Sequence, residues 1–135
     1  MDTTTITPRF SETDMLGHIS NTTLPIWFEG AREGFFRRIH PAMTVHDWPL
    51  ILARIELDFK AQIHIGDDVT LKTGVEKIGA KSMTVYQEAW QKDTLVAAGR
   101  TVMVYFDYSQ QCSKVIPDNV REQLADLVID QSGTT

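Results

Sequence analysis

The fold is decided by residues 9–32, RFSETDMLGHISNTTLPIWFEGAR, which lead from a short strand pattern through a polar loop into the one long helical pattern of the chain. Around the N-terminal end of this stretch, apolar and polar residues alternate, as in a half-buried edge strand that tolerates proline. The apolar positions are Ile6, Pro8 and Phe10. Residues 11–20 show no apolar period, which predicts a loop. After that loop, apolar residues recur every three or four positions, as on one face of a helix. These are Leu24, Trp27, Phe28, Ala31, Phe35 and Ile39.

The start of this helix is the candidate reactive region. Pro25 lacks an N–H group and fits the first turn, and Ser20, Asn21 and Thr22 are all favourable caps, so we expect the helix to begin within Ser20 to Thr23 and to run to about Ile39. A helix start presents free backbone N–H groups, which form a positive pole that can polarise a carbonyl oxygen or hold an anion. The carboxylate of Asp14 lies close to that pole in sequence.

Composition limits the remaining possibilities. A chain of 135 residues with 42% hydrophobic and 23% charged residues is typical of one soluble domain, and we assign residues 1–135 to it. The net charge of −5, without a basic run, argues against nucleic acid as a partner. The first residues do not resemble a signal peptide, and no stretch approaches the ~18 apolar residues of a membrane span. We therefore expect a cytoplasmic protein without a membrane partner.

Metal and redox chemistry are also not expected. Cys112 is the single cysteine, and it lies in a polar stretch far from any histidine in sequence. The four histidines, His18, His40, His46 and His64, lack the close spacings of zinc ligands. We predict no metal and no other cofactor.

The rest of the chain predicts a sheet. Alternating patterns predict four strands, after which Pro117 opens a short helix with a stripe of Val120, Leu124, Leu127 and Val128. The strands are predicted over Ala53 to Lys60, Val69 to Gly79, Lys81 to Gln91 and Leu95 to Tyr108. The last strand is apolar on both faces and should be central or lie at a subunit contact. A polar tail from Gln131 should fray. Strands that follow one another without helices pair antiparallel, so the fold class is α+β, with a curled sheet of about five strands around one long helix.

Several motifs resemble those of one enzyme family. An aromatic-ended strand leads into Glu12-Thr13-Asp14, then Gly17-His18, then Asn21, and the helix carries Phe28-Glu29-Gly30-Ala31-Arg32. Three later features also match the motifs of that family. They are Gly66-Asp67, the hairpin from Gly79 to Ser82, and Ile116-Pro117. Over nearly the whole chain this resembles the hotdog-fold acyl-CoA thioesterases, the group around 4-hydroxybenzoyl-CoA thioesterase.

The resemblance implies a fold, partners and site residues. The fold would be a helix wrapped by an antiparallel sheet, in homodimers or tetramers whose sheets join edge to edge, with active sites at the interface. The substrate would be an acyl-CoA or an acyl-carrier-protein thioester, and Asp14 would be the catalytic residue, either as nucleophile or as general base. His18 either orients that carboxylate or a water, or simply packs.

The remaining candidates have structural alternatives. Gly17 should supply a turn with positive φ and let the thioester approach the main chain. Asn21, with Thr22, should cap the helix first and position the carbonyl second. Lys81 and Ser82, with Lys60, are the predicted contacts of the CoA phosphates, although exposed lysines are more often ordinary surface charges. Glu29 is a minor catalytic candidate on the solvated face of the helix.

Two other functions remain open. A hotdog dehydratase would need a histidine and acid pair and a motif different from Glu12-Thr13-Asp14. A non-catalytic acyl-CoA sensor would share the fold, because fold does not fix function. Thiol release from a panel of acyl-CoAs separates the hydrolase from the sensor.

Overall fold

A computed structural model describes residues 1–129, in which a curled antiparallel sheet wraps one bent helix. The strands are β1 (Asp2–Ile6), β2 (Leu50–Phe59), β3 (Val69–Ile78), β4 (Ser82–Gln91), β5 (Thr94–Asp107) and the short β6 (Cys112–Ser113). The helices are α1 (Thr23–Ala31), α2 (Glu33–Ile39) and α3 (Asp118–Gln123), with 3-10 turns at Phe10–Glu12 and Ala125–Leu127. The sheet order is β1-β3-β4-β5-β2, and β6 pairs with β5. The predicted α+β hotdog architecture is confirmed.

The predicted long helix is present but is interrupted at Arg32. It begins at Thr23 and ends at Ile39, as expected, while Arg32 itself has φ −80° and ψ 0°. The backbone N–H of Arg32 is shared between the carbonyl oxygens of Phe28 (3.2 Å) and Glu29 (3.1 Å). Glycines at positions 30 and 34 flank the break, and glycine weakens a helix. The helix therefore bends at the point where its two segments pack on different parts of the sheet.

The first strand lies earlier than its alternation predicted, so that expectation is wrong. Strand β1 ends at Ile6, and Phe10, which is 83% exposed, opens a 3-10 turn. The backbone N–H of Arg9 donates to Glu12 Oε1 (2.8 Å), which closes this turn, and Pro8 has no N–H group for a ladder. The expected edge position is confirmed, since β1 is the first strand in the sheet order and pairs with β3.

Strand β2 begins at Leu50, three residues before the predicted Ala53. A bulge at Ala53 explains the error, because Leu52 and Arg54 pair with the adjacent β5 residues Met103 and Val102. The extra residue breaks the two-residue period on which the prediction depended. The other strands lie where alternation placed them, to within about two residues at each end.

The core has two parts. One cluster, which includes Leu24, Trp27 and Phe28, lies under α1, and the other, which includes Phe35 and Leu124, lies under α2 and α3. Val120, Leu124 and Leu127 are buried as predicted, but Val128 follows the 3-10 turn and is 46% exposed, so it does not belong to the stripe. The predicted tail from Gln131 lies outside the described residues.

Strand β5 has a neighbouring strand on each side, and one of these neighbours, β2, forms an exposed edge of the sheet. Strand β5 lies between β4 and β2, which confirms its predicted central position, whereas β2 forms the edge opposite β1. Several apolar side chains of β2 are exposed, namely Ile51, Leu52, Ile55 and Phe59 at 38–51%. A single chain leaves this edge uncovered. Within residues 1–129, no helix is long and apolar enough to cross a membrane.

Candidate active site

The Asp14 loop is a short hairpin. Thr13 and Ile19 form an antiparallel bridge, and the backbone N–H of Asp14 donates to the carbonyl oxygen of His18 (2.7 Å). Gly17 has φ +80°, which confirms the predicted positive φ in this turn. L-amino acids rarely adopt that conformation, so glycine lets the chain reverse sharply here. The hairpin holds Asp14 at its tip.

The carboxylate of Asp14 is oriented by the main chain. Its Oδ1 accepts the backbone N–H groups of Leu16 (2.8 Å) and His18 (3.1 Å). Within residues 1–129, no hydrogen-bond donor contacts Oδ2, and the side chain is exposed. One oxygen therefore fixes the direction of the group while the other is available to a substrate or a water.

An open cleft of about 530 Å³ lies in front of this carboxylate. Its walls come from the Asp14 loop, the start of α1, the end of β2 and the β2–β3 loop. The lining residues are Asp14, Ile19, Ser20, Asn21, Leu24, Phe59, Lys60, Ala61, Gln62 and Ile63. The backbone N–H of Ile19 donates to the carbonyl oxygen of Ile63 (2.7 Å) and ties the two loops together. The predicted residues Asp14, Asn21 and Lys60 therefore share one cleft.

The start of α1 is not capped by a side chain. Thr22 occupies the cap position in a helical conformation, and its hydroxyl lies 2.9 Å from Ser20 Oγ. The expectation that Asn21 caps the helix is wrong, because the carbonyl oxygen of Ser20 instead accepts the Thr23 N–H (3.0 Å). Among the described residues the Asn21 side chain has no hydrogen-bond partner, and it lines the cleft. Its amide and the positive pole of the helix remain available to a ligand.

Within residues 1–129, the ring of His18 forms no hydrogen bond with the carboxylate of Asp14. It packs edge-on against the ring of His64, with centroids 5.0 Å apart. The contribution of His18 to Asp14 is its backbone N–H. Gly17 and Thr22, which were also predicted to position the substrate, do not line the cleft.

The two predicted phosphate-binding regions lie apart within one chain. Lys60 lines the cleft, directly after Phe59, which pairs with Ala97 of β5. Ser82, which follows Lys81, pairs with Val104 near the other end of β5. The seven steps from Ala97 to Val104 span roughly 23 Å at the usual rise of a strand. Lys81 and Ser82 therefore do not reach the Asp14 cleft of their own chain.

Glu12 is a site residue that the sequence reasoning missed. Its Oε2 accepts the indole N–H of Trp27 (2.9 Å), and its Oε1 accepts the N–H of Arg9. This side chain joins the loop before Asp14 to the middle of α1. The sequence does contain a signal for this contact. A buried indole N–H usually has an acceptor, and Glu12 is an acid in the loop that precedes the helix of Trp27.

A second cavity, of about 850 Å³, lies beside α2. Its walls are mostly aromatic and aliphatic, with Glu29, Arg32 and His46 as the charged or imidazole side chains. The lining residues are Glu29, Arg32, Phe36, Met43, Val45, His46, Trp48, Leu50, Leu52, Met103 and Tyr108. Glu29 is thus placed here and not in the Asp14 cleft. In residues 1–129, no group of three or more His, Cys, Asp or Glu side chains is placed to hold a metal ion.

Comparison with known proteins agrees with this geometry. Residues 8–124 match the family model of the thioesterase-like superfamily. A predicted thioesterase from Bacillus stearothermophilus is 42% identical and superposes with a TM-score of 0.91 over 95% of this chain and 96% of that one. A thioesterase from Thermus thermophilus, in complex with coenzyme A and Zn, is 26% identical, with a TM-score of 0.81 over 93% and 92% of the two chains.

A further relative matches over a shorter length. The uncharacterized protein YsmA of Bacillus subtilis (strain 168) is 27% identical over 81 residues, which are 60% of this chain. This chain thus matches 55% of the length of that protein. The family model, in contrast, extends from just after β1 to the end of the C-terminal helix. The chain belongs to the thioesterase-like superfamily of thioester hydrolases.

Proposed function

We propose that this protein is an acyl-CoA thioesterase that cleaves its substrate in the Asp14 cleft and releases a free acid and a thiol. The observation that carries the proposal is the Asp14 carboxylate, with Oδ1 held by two backbone N–H groups and Oδ2 open to the cleft. The uncapped start of α1 forms another wall of the same cleft. A carboxylate and a set of oriented N–H donors are what hydrolysis of a thioester requires.

The chemistry can follow either of two balanced courses. In the first, Asp14 Oδ2 attacks the thioester carbon, the C–S bond breaks, the thiolate leaves and takes a proton, and water hydrolyses the resulting anhydride. In the second, Asp14 removes a proton from a water that attacks the same carbon, after which the C–S bond breaks and the thiolate leaves with that proton. In both, the carbonyl oxygen gains negative charge, which the helix-start N–H groups and the Asn21 amide stabilise.

Labelled water separates these courses. After one turnover in ¹⁸O water, attack of water on the Asp14 carbonyl of the anhydride leaves the label in that carboxylate, whereas the general-base course places all of the label in the released acid. Mass spectrometry of the peptide that contains Asp14 reads the difference.

The proposed leaving group is coenzyme A or the thiol of an acyl carrier protein. Support comes from Lys60, which lines the cleft, and from the coenzyme A held by the Thermus thermophilus relative. A lysine near a cleft mouth can hold a phosphate as a point charge. Lys81 and Ser82 would then act from a second copy of the chain.

We infer a homodimer on that basis. The edge strand β2 exposes apolar side chains and unpaired backbone groups, and pairing with a second β2 would extend the sheet and cover both. Light scattering at micromolar concentration should give at least twice the 15.3 kDa chain mass. A monomer of 15.3 kDa would remove the support for Lys81 and Ser82 as substrate contacts.

Thiol release from a panel of acyl-CoAs and acyl-carrier-protein thioesters tests the proposal. We expect turnover that depends on Asp14. Tight binding of acyl-CoA without release of free thiol would instead identify a sensor and would overturn the hydrolase.

A further inference from the structure

Arg32 is a buried cation without a charged partner. It is 5% exposed, and its Nη1 donates to Gln87 Oε1 (3.2 Å) and Thr101 Oγ1 (3.4 Å), both neutral groups. Its Nε is enclosed without any hydrogen-bond partner. Within the described residues, no hydrogen bond reaches Nη2 and no carboxylate forms an ion pair with the guanidinium. Burial lowers the pKa of Arg32, and the negative charge of Glu29 opposes that shift.

A buried arginine without an ion-pair partner destabilises the folded chain unless a bound group offsets its charge. The desolvation of a cation costs several kcal/mol, and neutral hydrogen bonds recover only part of that cost. Glu29 lies three positions earlier, but it is exposed and forms no ion pair with Arg32. Among the described residues, the buried guanidinium therefore has unused donors and no ion-pair partner.

The second cavity gives an anionic ligand access to Arg32. The cavity that Arg32 lines also has Phe36, Trp48, Leu50 and Met103 in its walls, so the body of a ligand there would be apolar. The hydroxyl of Tyr108 already donates to the carbonyl oxygen of Leu50 (3.1 Å). A cavity with apolar walls and one buried cation suits an organic molecule with an apolar body and one anionic end.

Arg32 also lies between this cavity and the Asp14 cleft. Between α1 and β2 the structure leaves only about 10 Å³, lined by Arg32, Pro25 and Leu57, among others, so a bound acyl chain must widen this gap. Pro25 follows Leu24, and Leu57 lies two positions before Phe59, both of which line the Asp14 cleft. Nine helical steps from Thr23 to Arg32 correspond to about 14 Å. An extended acyl chain can span that separation between a thioester at the helix start and a group at Arg32.

We propose that the second cavity binds the end of the acyl group remote from the thioester, and that this end carries a carboxylate held by Arg32. The substrate class would be the mono-thioester of a dicarboxylic acid, whose hydrolysis releases a dicarboxylate and a thiol. This inference rests on the proposed function. It assigns Arg32 as a specificity residue and leaves the chemistry at Asp14 unchanged.

The test compares matched thioesters. The kcat/KM values of adipoyl-, suberoyl- and sebacoyl-CoA are measured against those of hexanoyl-, octanoyl- and decanoyl-CoA. We expect at least one carboxylate-ended substrate to exceed its methyl-ended partner by about tenfold or more, the scale of a charge-assisted hydrogen bond. Arg32→Met keeps the apolar stem and removes the charge, and should bring this ratio to about one or below, since no cation then offsets the carboxylate.

Two further variants separate recognition from folding. Arg32→Lys keeps the charge and should retain part of the preference, and Arg37→Met removes an exposed arginine of α2 and should leave the ratio unchanged. Glu29→Gln removes a negative charge at the cavity and should strengthen carboxylate binding. A loss of folding in Arg32→Met would lower both members of each substrate pair together, and Arg32→Lys then supplies the comparison.

Calorimetry with free suberate and octanoate gives a readout that does not depend on turnover. We expect suberate to bind the wild-type chain more tightly, and Arg32→Met to lose that difference. Equal kcat/KM within every substrate pair and no preference for suberate would overturn this inference while the hydrolase stands. Arg32-dependent binding of suberate without cleavage of any thioester would support the anion site and overturn the proposed function. If Arg32→Met weakened dimerisation and left the substrate ratio unchanged, the partner of Arg32 would be a second copy, and the inference would be wrong.

Discussion

Asp14→Asn is the most direct test of the site, because the structure separates the two oxygens of this carboxylate. An asparagine keeps the Oδ1 acceptor for the N–H groups of Leu16 and His18. It replaces Oδ2 by an NH₂ group, which neither attacks a carbonyl nor accepts a proton at neutral pH. We therefore expect kcat to fall by ~10²-fold or more, the usual contribution of a positioned base or nucleophile.

The same hydrogen bonds set the expected change in stability. Since both acceptor contacts persist in Asp14→Asn, the free energy of unfolding should change by no more than about 0.5 kcal/mol. Asp14→Ala removes both, and at ~0.5–1 kcal/mol for each exposed hydrogen bond it should cost about 1–2 kcal/mol. The asparagine variant thus isolates the chemical role, and the alanine variant adds the loss of the turn.

The assay measures thiol release from an acyl-CoA substrate together with urea unfolding of each variant. Asp93→Asn, in the exposed turn between β4 and β5, serves as the matched control and should keep wild-type turnover. Near-wild-type turnover of Asp14→Asn would refute the assignment of the site. A loss of turnover that tracked a loss of stability would show that Asp14 acts only through the turn.

Three further predictions concern other parts of the molecule. Lys60→Met should raise KM for an acyl-CoA by a few-fold but leave KM unchanged for the corresponding acyl-N-acetylcysteamine, which lacks phosphates; equal changes for both would exclude a phosphate contact. The hydrogen bonds from Arg100 lower the pKa of Glu76 below its ordinary 4.5, so the carboxylate stabilises the fold at neutral pH and this contribution is lost as pH falls through the lowered value. Urea unfolding of Glu76→Gln should therefore show a weaker loss of stability between pH 6 and pH 3, by about 0.5 kcal/mol after solvent screening, and an unchanged acid limb would contradict the pairing. Gly99→Ala places a Cβ atom 2.7 Å from the carbonyl oxygen of Glu56. Because β2 and β5 must then move apart, the free energy of unfolding should fall by about 1–3 kcal/mol. An unchanged free energy of unfolding would show that β2 moves freely.

Local patterns predicted much of the fold. The apolar spacing and Pro25 placed the helix start correctly, and the position of Gly17 predicted its positive φ. These features depend on short-range sterics and on a stripe that must face the sheet. The first strand was misplaced because alternation continues through Pro8 to Phe10, while the Arg9 N–H is taken by a side chain three residues ahead.

Long-range geometry limited the prediction of the site. Three neighbouring residues could each cap α1, and propensity alone did not decide among them. In the structure the carbonyl oxygen of Ser20 accepts the Thr23 N–H, so the Asn21 side chain is not used as a cap. Lys81 and Ser82 were predicted together with Lys60 as contacts of the CoA phosphates, although the strand register places them near opposite ends of β5. The burial of Arg32 depends on the bend between α1 and α2, which a helical stripe does not reveal.

The bend at Arg32 has a consequence for how the protein can evolve. It divides the buried core into one cluster beside the Asp14 cleft and another beside the second cavity, with no buried residue common to both. Substitutions far apart and without shared partners have nearly additive effects on stability. Residues around the second cavity, such as Phe36 and Trp48, can therefore be exchanged with little effect on the cluster that supports Asp14. In a lineage of such proteins, the pocket can diversify while the reaction is conserved.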